Sequence, residues 1–173
     1  QNLTVTASSG TRTAAVDITV NANLVSNSGA TLDMNGYSLT VTGTISGAGT
    51  LIGGSAVTVT GSMSVANYTA TSGETRVGGN WGVSGVFNPN GGTVVITGAA
   101  SQMAVSATFH NLTIQAGASL DTLGTWSIII NGDFSNAGNL SRRGADYVSK
   151  TDATQGTVTY RTSSTNPIQS YDG

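Results

Sequence analysis

The sequence predicts an all-β protein of one kind, a single-stranded right-handed parallel β-helix (β-solenoid) with coils of about 18 residues. Three observations predict it. A strand-type pattern recurs at nearly constant spacing. Its central position is always Val or Ile, and the position two residues on is always Gly or Ala. The composition suits strands and turns: Gly, Ser, Thr and Asn make up roughly half of the 173 residues, and the apolar share is rich in the β-branched side chains that fit a pleated surface.

The rungs follow in chain order as Leu3-Thr4-Val5, Ile18-Thr19-Val20, Leu39-Thr40-Val41, Val57-Thr58-Val59, Thr75-Arg76-Val77, Val94-Val95-Ile96, Leu112-Thr113-Ile114 and Ile128-Ile129-Ile130. Alternation with period two places the first and third side chains of each rung on one face, and only Thr75 breaks their apolar character. Two residues beyond each rung come Ala7, Ala22, Gly43, Gly61, Gly79, Gly98, Ala116 and Gly132; a further two on, Leu24, Ile45, Met63, Trp81 and Phe134 supply large apolar groups. Eighteen residues separate Val41 from Val59 and Val59 from Val77, 19 separate Val77 from Ile96, and 18 separate Ile96 from Ile114. So short a period leaves no room for a helix in each repeat and suits one solenoid coil. Stacked at about 4.8 Å, eight rungs make a rod of roughly 40 Å, and the crossover rule for parallel strands gives it a right-handed path. Each buried Val or Ile contributes about 1.5–3 kcal/mol. The Gly/Ala slot reads as a corner, where Gly permits positive φ and both residues leave room for the next coil.

Asn35-Gly36, Asn90-Gly91 and Asn131-Gly132 are turn signals, and the two prolines, Pro89 and Pro167, fall outside the rungs. The repeat divides the chain into coils over residues 1–140 and a C-terminal cap or assembly segment of the same domain over 141–173. That segment holds four of the six basic residues, Arg142, Arg143, Lys150 and Arg161, and one further strand at Thr157-Val158-Thr159-Tyr160.

Function classes narrow by exclusion. Only 8% of residues are charged and the net charge is −2, which argues against nucleic acid. No stretch approaches the roughly 20 apolar residues of a membrane helix, so membrane insertion is not expected. There is no Cys, hence no disulfide or thiolate chemistry. The single histidine, His110, has no readable nucleophile or carboxylate beside it, and the eight acids are scattered, although stacking can draw Asp17 and Asp33 together. The expectation is a non-enzyme with no metal and no cofactor; a polysaccharide-active β-helix enzyme is a remote alternative. Thr4, Thr19, Thr40 and Thr58 read as one outward column and Thr6, Asn21, Thr42 and Thr60 as its neighbour, interrupted at Arg76 and Gly78 and continuing as Val95 and Ile129. Stacked threonines stabilise a sheet, and the same array resembles the face of ice-binding solenoids. Trp81 and Phe134 share the inward slot, whereas Trp126, Tyr37, Tyr68, Tyr147, Tyr160 and Tyr171 fit no stripe. Four sequons, at Asn2, Asn67, Asn111 and Asn139, are matches that a chain rich in Thr and Asn produces by composition.

The segments Val77-Gly78-Gly79-Asn80-Trp81, Phe87-Asn88-Pro89-Asn90-Gly91-Gly92-Thr93-Val94-Val95-Ile96-Thr97-Gly98 and Phe109-His110-Asn111-Leu112-Thr113-Ile114 resemble the repetitive β-solenoid segments of bacterial surface and secreted proteins, of the filamentous-haemagglutinin and autotransporter-passenger kind. The resemblance covers about residues 74–140. It implies a secreted or cell-surface adhesin, stalk or fibre and carries over no catalytic residue. With it, the open ends of a solenoid point to an extracellular structural subunit that polymerises head to tail with itself through β-strand contacts. The expected assembly residues are Leu3, Val5, Ala7, Val158 and Tyr160. The alternative is an adhesin segment whose partner is a cell-surface glycan.

Overall fold

A computed structural model describes residues 1–6, 10–124, 126–143, 147–149 and 157–161. Among them there is no helix, and parallel strands stack as a β-solenoid of about seven turns of ~19 residues. Ala7, Lys150, Pro167 and Tyr171 lie outside the described residues.

The first coil is β1 (Leu3–Val5), β2 (Thr11–Thr13) and β3 (Ile18–Val20); the second is β4 (Leu24–Ser26), β5 (Thr31–Asp33) and β6 (Leu39–Val41). In the third and fourth coils the first two segments merge into one bent strand, giving β7 (Ile45–Ile52) and β8 (Val57–Val59), then β9 (Met63–Thr69) and β10 (Glu74–Val77). The fifth holds β11 (Phe87–Asn88) and β12 (Thr93–Ile96), with Trp81 bridging in place of a first strand. The sixth is β13 (Ser101–Met103), β14 (Ala107–Phe109) and β15 (Asn111–Ile114); the seventh is β16 (Ser119–Thr122), β17 (Ser127–Ile130) and β18 (Phe134–Asn136). The ladder runs on through β19 (Asn139–Arg143), β20 (Tyr147–Val148) and β21 (Thr157–Arg161).

Each coil therefore has three faces, and the repeat legible in the sequence is the third. Its sheet stacks β3, β6, β8, β10, β12, β15 and β18 in that order. One inward column is Ile18, Leu39, Val57, Thr75, Val94, Leu112 and Phe134; the other is Val20, Val41, Val59, Val77, Ile96, Ile114 and Asn136. The expected eight-rung column is corrected at both ends. Leu3 and Val5 lie on the first face, opposite Leu24 and Ser26, and Ile128 and Ile130 on the second, opposite Ala107 and Phe109. An apolar-polar-apolar triplet looks the same on every face, so spacing alone assigned them. The coils also differ in length: 21 residues separate Val20 from Val41, and 22 separate Ile114 from Asn136.

On the first face Leu3, Leu24, Ile45, Met63, Trp81, Met103 and Thr122 stand in register. Phe134, expected in this line beside Trp81, instead sits on the third face opposite Leu112. Leu32, Leu51, Tyr68 and Phe87 form the second-face column. Tyr68, which fitted no stripe in the sequence, is buried in an aromatic group at the middle of the rod. It stacks on Phe87 with centroids 5.9 Å apart, while Trp81 and Phe87 meet edge to face at 4.8 Å and Trp81 lies tilted against Phe109 at 5.3 Å.

Two kinds of corner close the coils. Asn35-Gly36 and Asn90-Gly91 both take positive φ, at 47° and 84° and at 47° and 74°, and each is held by a carboxylate or amide oxygen two residues before the Asn. Asn131-Gly132 bends without positive φ. At the other corner Gly43, Gly61 and Gly79 also have ordinary φ, so the expected role in backbone conformation gives way to close approach. A Cβ on Gly61 would stand 2.6 Å from Gly43 O, and one on Gly43 would stand 2.6 Å from Ala22 O.

Candidate assembly edges of the coil stack

The expected assembly residues occupy the two ends of one face. Leu3 and Val5 are on β1, which pairs with β4 and with no other strand among the described residues. Val158 and Tyr160 are on β21, opposite Leu140 and Arg142, and β21 pairs only with β19 among the described residues. The line of register from Leu3 through Trp81 and Met103 to Thr122 continues to Arg142 and Tyr160. Among the described residues, Leu3 and Tyr160 are the first and last positions of that line.

The edge itself is made of backbone. Leu3 N–H donates to Asn23 O and Val5 O accepts from Asn27 N, both at 2.9 Å, so these residues bond up to the second coil. Along a strand the main-chain groups of alternate residues point to opposite sides, so the N–H and C=O of Thr4 face the open edge. The same holds on β3: Ile18 N donates to Ser38 O and Val20 O accepts from Thr42 N, which leaves Thr19 facing out.

Side chains near these edges serve the stack. Asn2 Oδ1 accepts from Asn23 N at 3.1 Å, Asn23 Oδ1 from Thr44 N at 2.9 Å, and Asn80 Oδ1 from Gln102 N at 3.0 Å, a ladder that stitches each coil to the next at the corner before the first face. Asn67 and Asn111 do the same elsewhere, accepting from Val86 N and Asp133 N. Three of the four sequon asparagines are therefore structural acceptors. Asp17 Oδ1 accepts from Ser38 N of the next coil, and Asp33 Oδ1 accepts from Asn35 N in its own turn. His110 is half-buried between β14 and β15, and its carbonyl accepts from Gly132 N at 2.7 Å. Among the described residues no three His, Asp or Glu side chains gather as a metal site would require. The outward threonine column is shorter than expected. Thr19, Thr40 and Thr58 stack in register, followed by Arg76, a buried Val95, Thr113 and Ser135. Thr4 lies instead opposite Val25 on the first face and Ile129 opposite Thr108 on the second.

Two residues at the first coil carry information that the sequence reading missed. Arg12 stands in register with Leu32, so a guanidinium heads the otherwise apolar line of Leu32, Leu51, Tyr68 and Phe87. Ala22 belongs to the corner line of Gly43, Gly61 and Gly79, its carbonyl accepting from Gly43 N. Aligning all three faces, rather than the Val/Ile repeat alone, is what exposes both. At the other end the columns also turn polar, Met103 giving way to Thr122 and Ile114 to Asn136, both buried. Comparisons with protein-family models, curated proteins and solved structures find no match.

Proposed function

We propose that the chain is an extracellular structural subunit that joins copies of itself end to end, by backbone pairing at open strand edges, into a fibre. One observation carries the reading: among the described residues β1, β2 and β3 each pair on one side only. Such a row of unpaired N–H and C=O groups is a template for another strand. A head-to-tail contact that does not close into a ring makes a filament. The surface and secreted setting fits the resemblance to bacterial β-solenoid segments and a chain in which 8% of residues are charged and none is Cys.

Thr4→Pro tests the edge. It removes a donor that faces outward and leaves the bonds from β1 to β4 intact. The folded chain should keep its β circular dichroism and lose its filaments in negative stain. Filaments of undiminished length would show that the joint lies elsewhere.

A binding segment of a surface adhesin is the second reading. The seventh coil favours it, since Leu123, Trp126 and Ile129 are 36–39% exposed. Monodisperse rods whose tryptophan fluorescence changes with a cell-surface glycan, and no longer changes in Trp126→Ala, would support this over the fibre.

A further inference from the structure

We infer that Asn35 is a self-modifying site. Its side-chain amide condenses with the backbone nitrogen of Gly36 and then opens with water to aspartate and isoaspartate, whereas the same dipeptide at Asn131-Gly132 is held inert by the coil stack.

The chain carries three Asn-Gly pairs, at Asn35, Asn90 and Asn131. The reaction needs the glycine nitrogen to reach Cγ of the asparagine, and a residue without a Cβ obstructs that approach least. The new N–Cγ bond closes a cyclic imide, and the glycine N–H proton leaves with Nδ2 as ammonia. Water then cleaves the imide. Cleavage at Cγ gives aspartate; cleavage at the main-chain carbonyl gives isoaspartate, with an extra methylene in the backbone. No oxidant or reductant is needed.

Exposure does not separate the three sites, since all three asparagines are exposed. Their bonds do. Asn35 and Gly36 sit at the tip of a turn closed by Tyr37 N to Met34 O at 2.8 Å, with φ of 47° and 84°. Gly36 N–H meets no acceptor and the Asn35 side-chain amide no partner among the described residues, and the space beside Gly36 is open to 4 Å. Asn90-Gly91 makes the same turn, closed by Gly92 N to Pro89 O at 3.0 Å, but Asn90 Nδ2 donates to Ala70 O at 3.1 Å, so ring closure must first break that bond. At the third pair the nucleophile itself is tied: Gly132 N donates to His110 O at 2.7 Å and Asn131 N to Phe109 O at 3.1 Å. Gly132 is packed on Asn111 so closely that a Cβ would not fit. The rates therefore fall in the order Asn35, Asn90, Asn131.

The product alters the corner in which it forms. Asp33 Oδ1 already accepts from Asn35 N at 2.8 Å, so the new carboxylate arises beside one of the same sign. Isoaspartate in addition lengthens the connection from β5 to β6.

The test uses the full-length folded chain in mildly alkaline buffer, with a parallel sample unfolded in urea, each digested at intervals and mapped by mass spectrometry. In buffer Asn35 should convert fastest and Asn131 at least roughly fivefold more slowly, the factor set by one hydrogen bond of ordinary net strength. In urea the three rates should converge. Anion exchange of the folded sample should show a growing species one charge more negative than the parent chain, whose net charge is −2. Asn131 converting as fast as Asn35 in the folded chain, or Asn35 converting only in urea, would overturn the inference. The folded ranking persisting in urea would also overturn it, by assigning the order to flanking residues rather than to the coil stack.

Discussion

Thr75 shows how a single residue can break a repeat for a local reason. It is the one polar residue in an inward line that otherwise runs Ile18, Leu39, Val57, Val94, Leu112 and Phe134. Its hydroxyl is 2.7 Å from Tyr68 Oη, and both residues are buried. A phenol inside an aromatic core needs a partner, and Thr75 supplies it. The exception was legible in the sequence; its cause was not, because Tyr68 belongs to a different face. Tyr68→Phe should cost about 1–3 kcal/mol by leaving the Thr75 hydroxyl buried without that partner. The double variant Tyr68→Phe/Thr75→Val should recover most of the loss, and a thermodynamic cycle from urea melts measures the coupling. Burial also pushes the Tyr68 phenol well above its ordinary value, against the lowering effect of its bonds to Thr75 and the Thr71 backbone. A raised folded-state value means that the native chain holds this proton more tightly than the unfolded chain. The associated stability is complete below the unfolded value of about 10 and is lost as pH rises beyond it. Alkaline melts should therefore fall more steeply in the parent than in Tyr68→Phe; equal slopes would dissociate Tyr68 from the effect.

At the scale of the strand and its corner, the third face was readable and the other two were not. Between Val41 and Ile114 the coils keep to 18 or 19 residues, so the Val/Ile columns show as a period. The first-face line runs Leu, Leu, Ile, Met, Trp, Met and Thr, and its spacing varies from 18 residues between Ile45 and Met63 to 22 between Trp81 and Met103. Register there is set by geometry that a fixed period cannot reveal. The corners follow the same logic, since Gly43, Gly61 and Gly79 were visible as small residues but their reason was close approach. Gly61→Ala should cost about 1–3 kcal/mol through overpacking against the Gly43 carbonyl. Ala22→Gly, at the same corner of the first coil, should change stability by no more than about 1 kcal/mol. Thermal melts that ranked the two alike would remove the steric account of the corner.

The whole molecule is directional, because the strands of the stack pair in parallel. Among the described residues its inward columns turn polar toward the later coils, Met103 giving way to Thr122 and Ile114 to Asn136. The strands at Leu3–Val5 and Thr157–Arg161 were readable from the sequence; that they share one face followed only from the summed register. Stacking that depends on backbone pairing and apolar columns in a chain with 8% charged residues should respond weakly to salt. The most direct measurement is helical reconstruction by electron cryomicroscopy of the assembled full-length chain. The account predicts strands perpendicular to the filament axis, a spacing of about 4.8 Å that continues across each joint, and an axial repeat of roughly 40 Å per subunit. Particles that stay single-copy rods at every concentration, or filaments whose joints lie on the sides of the coils, would contradict it.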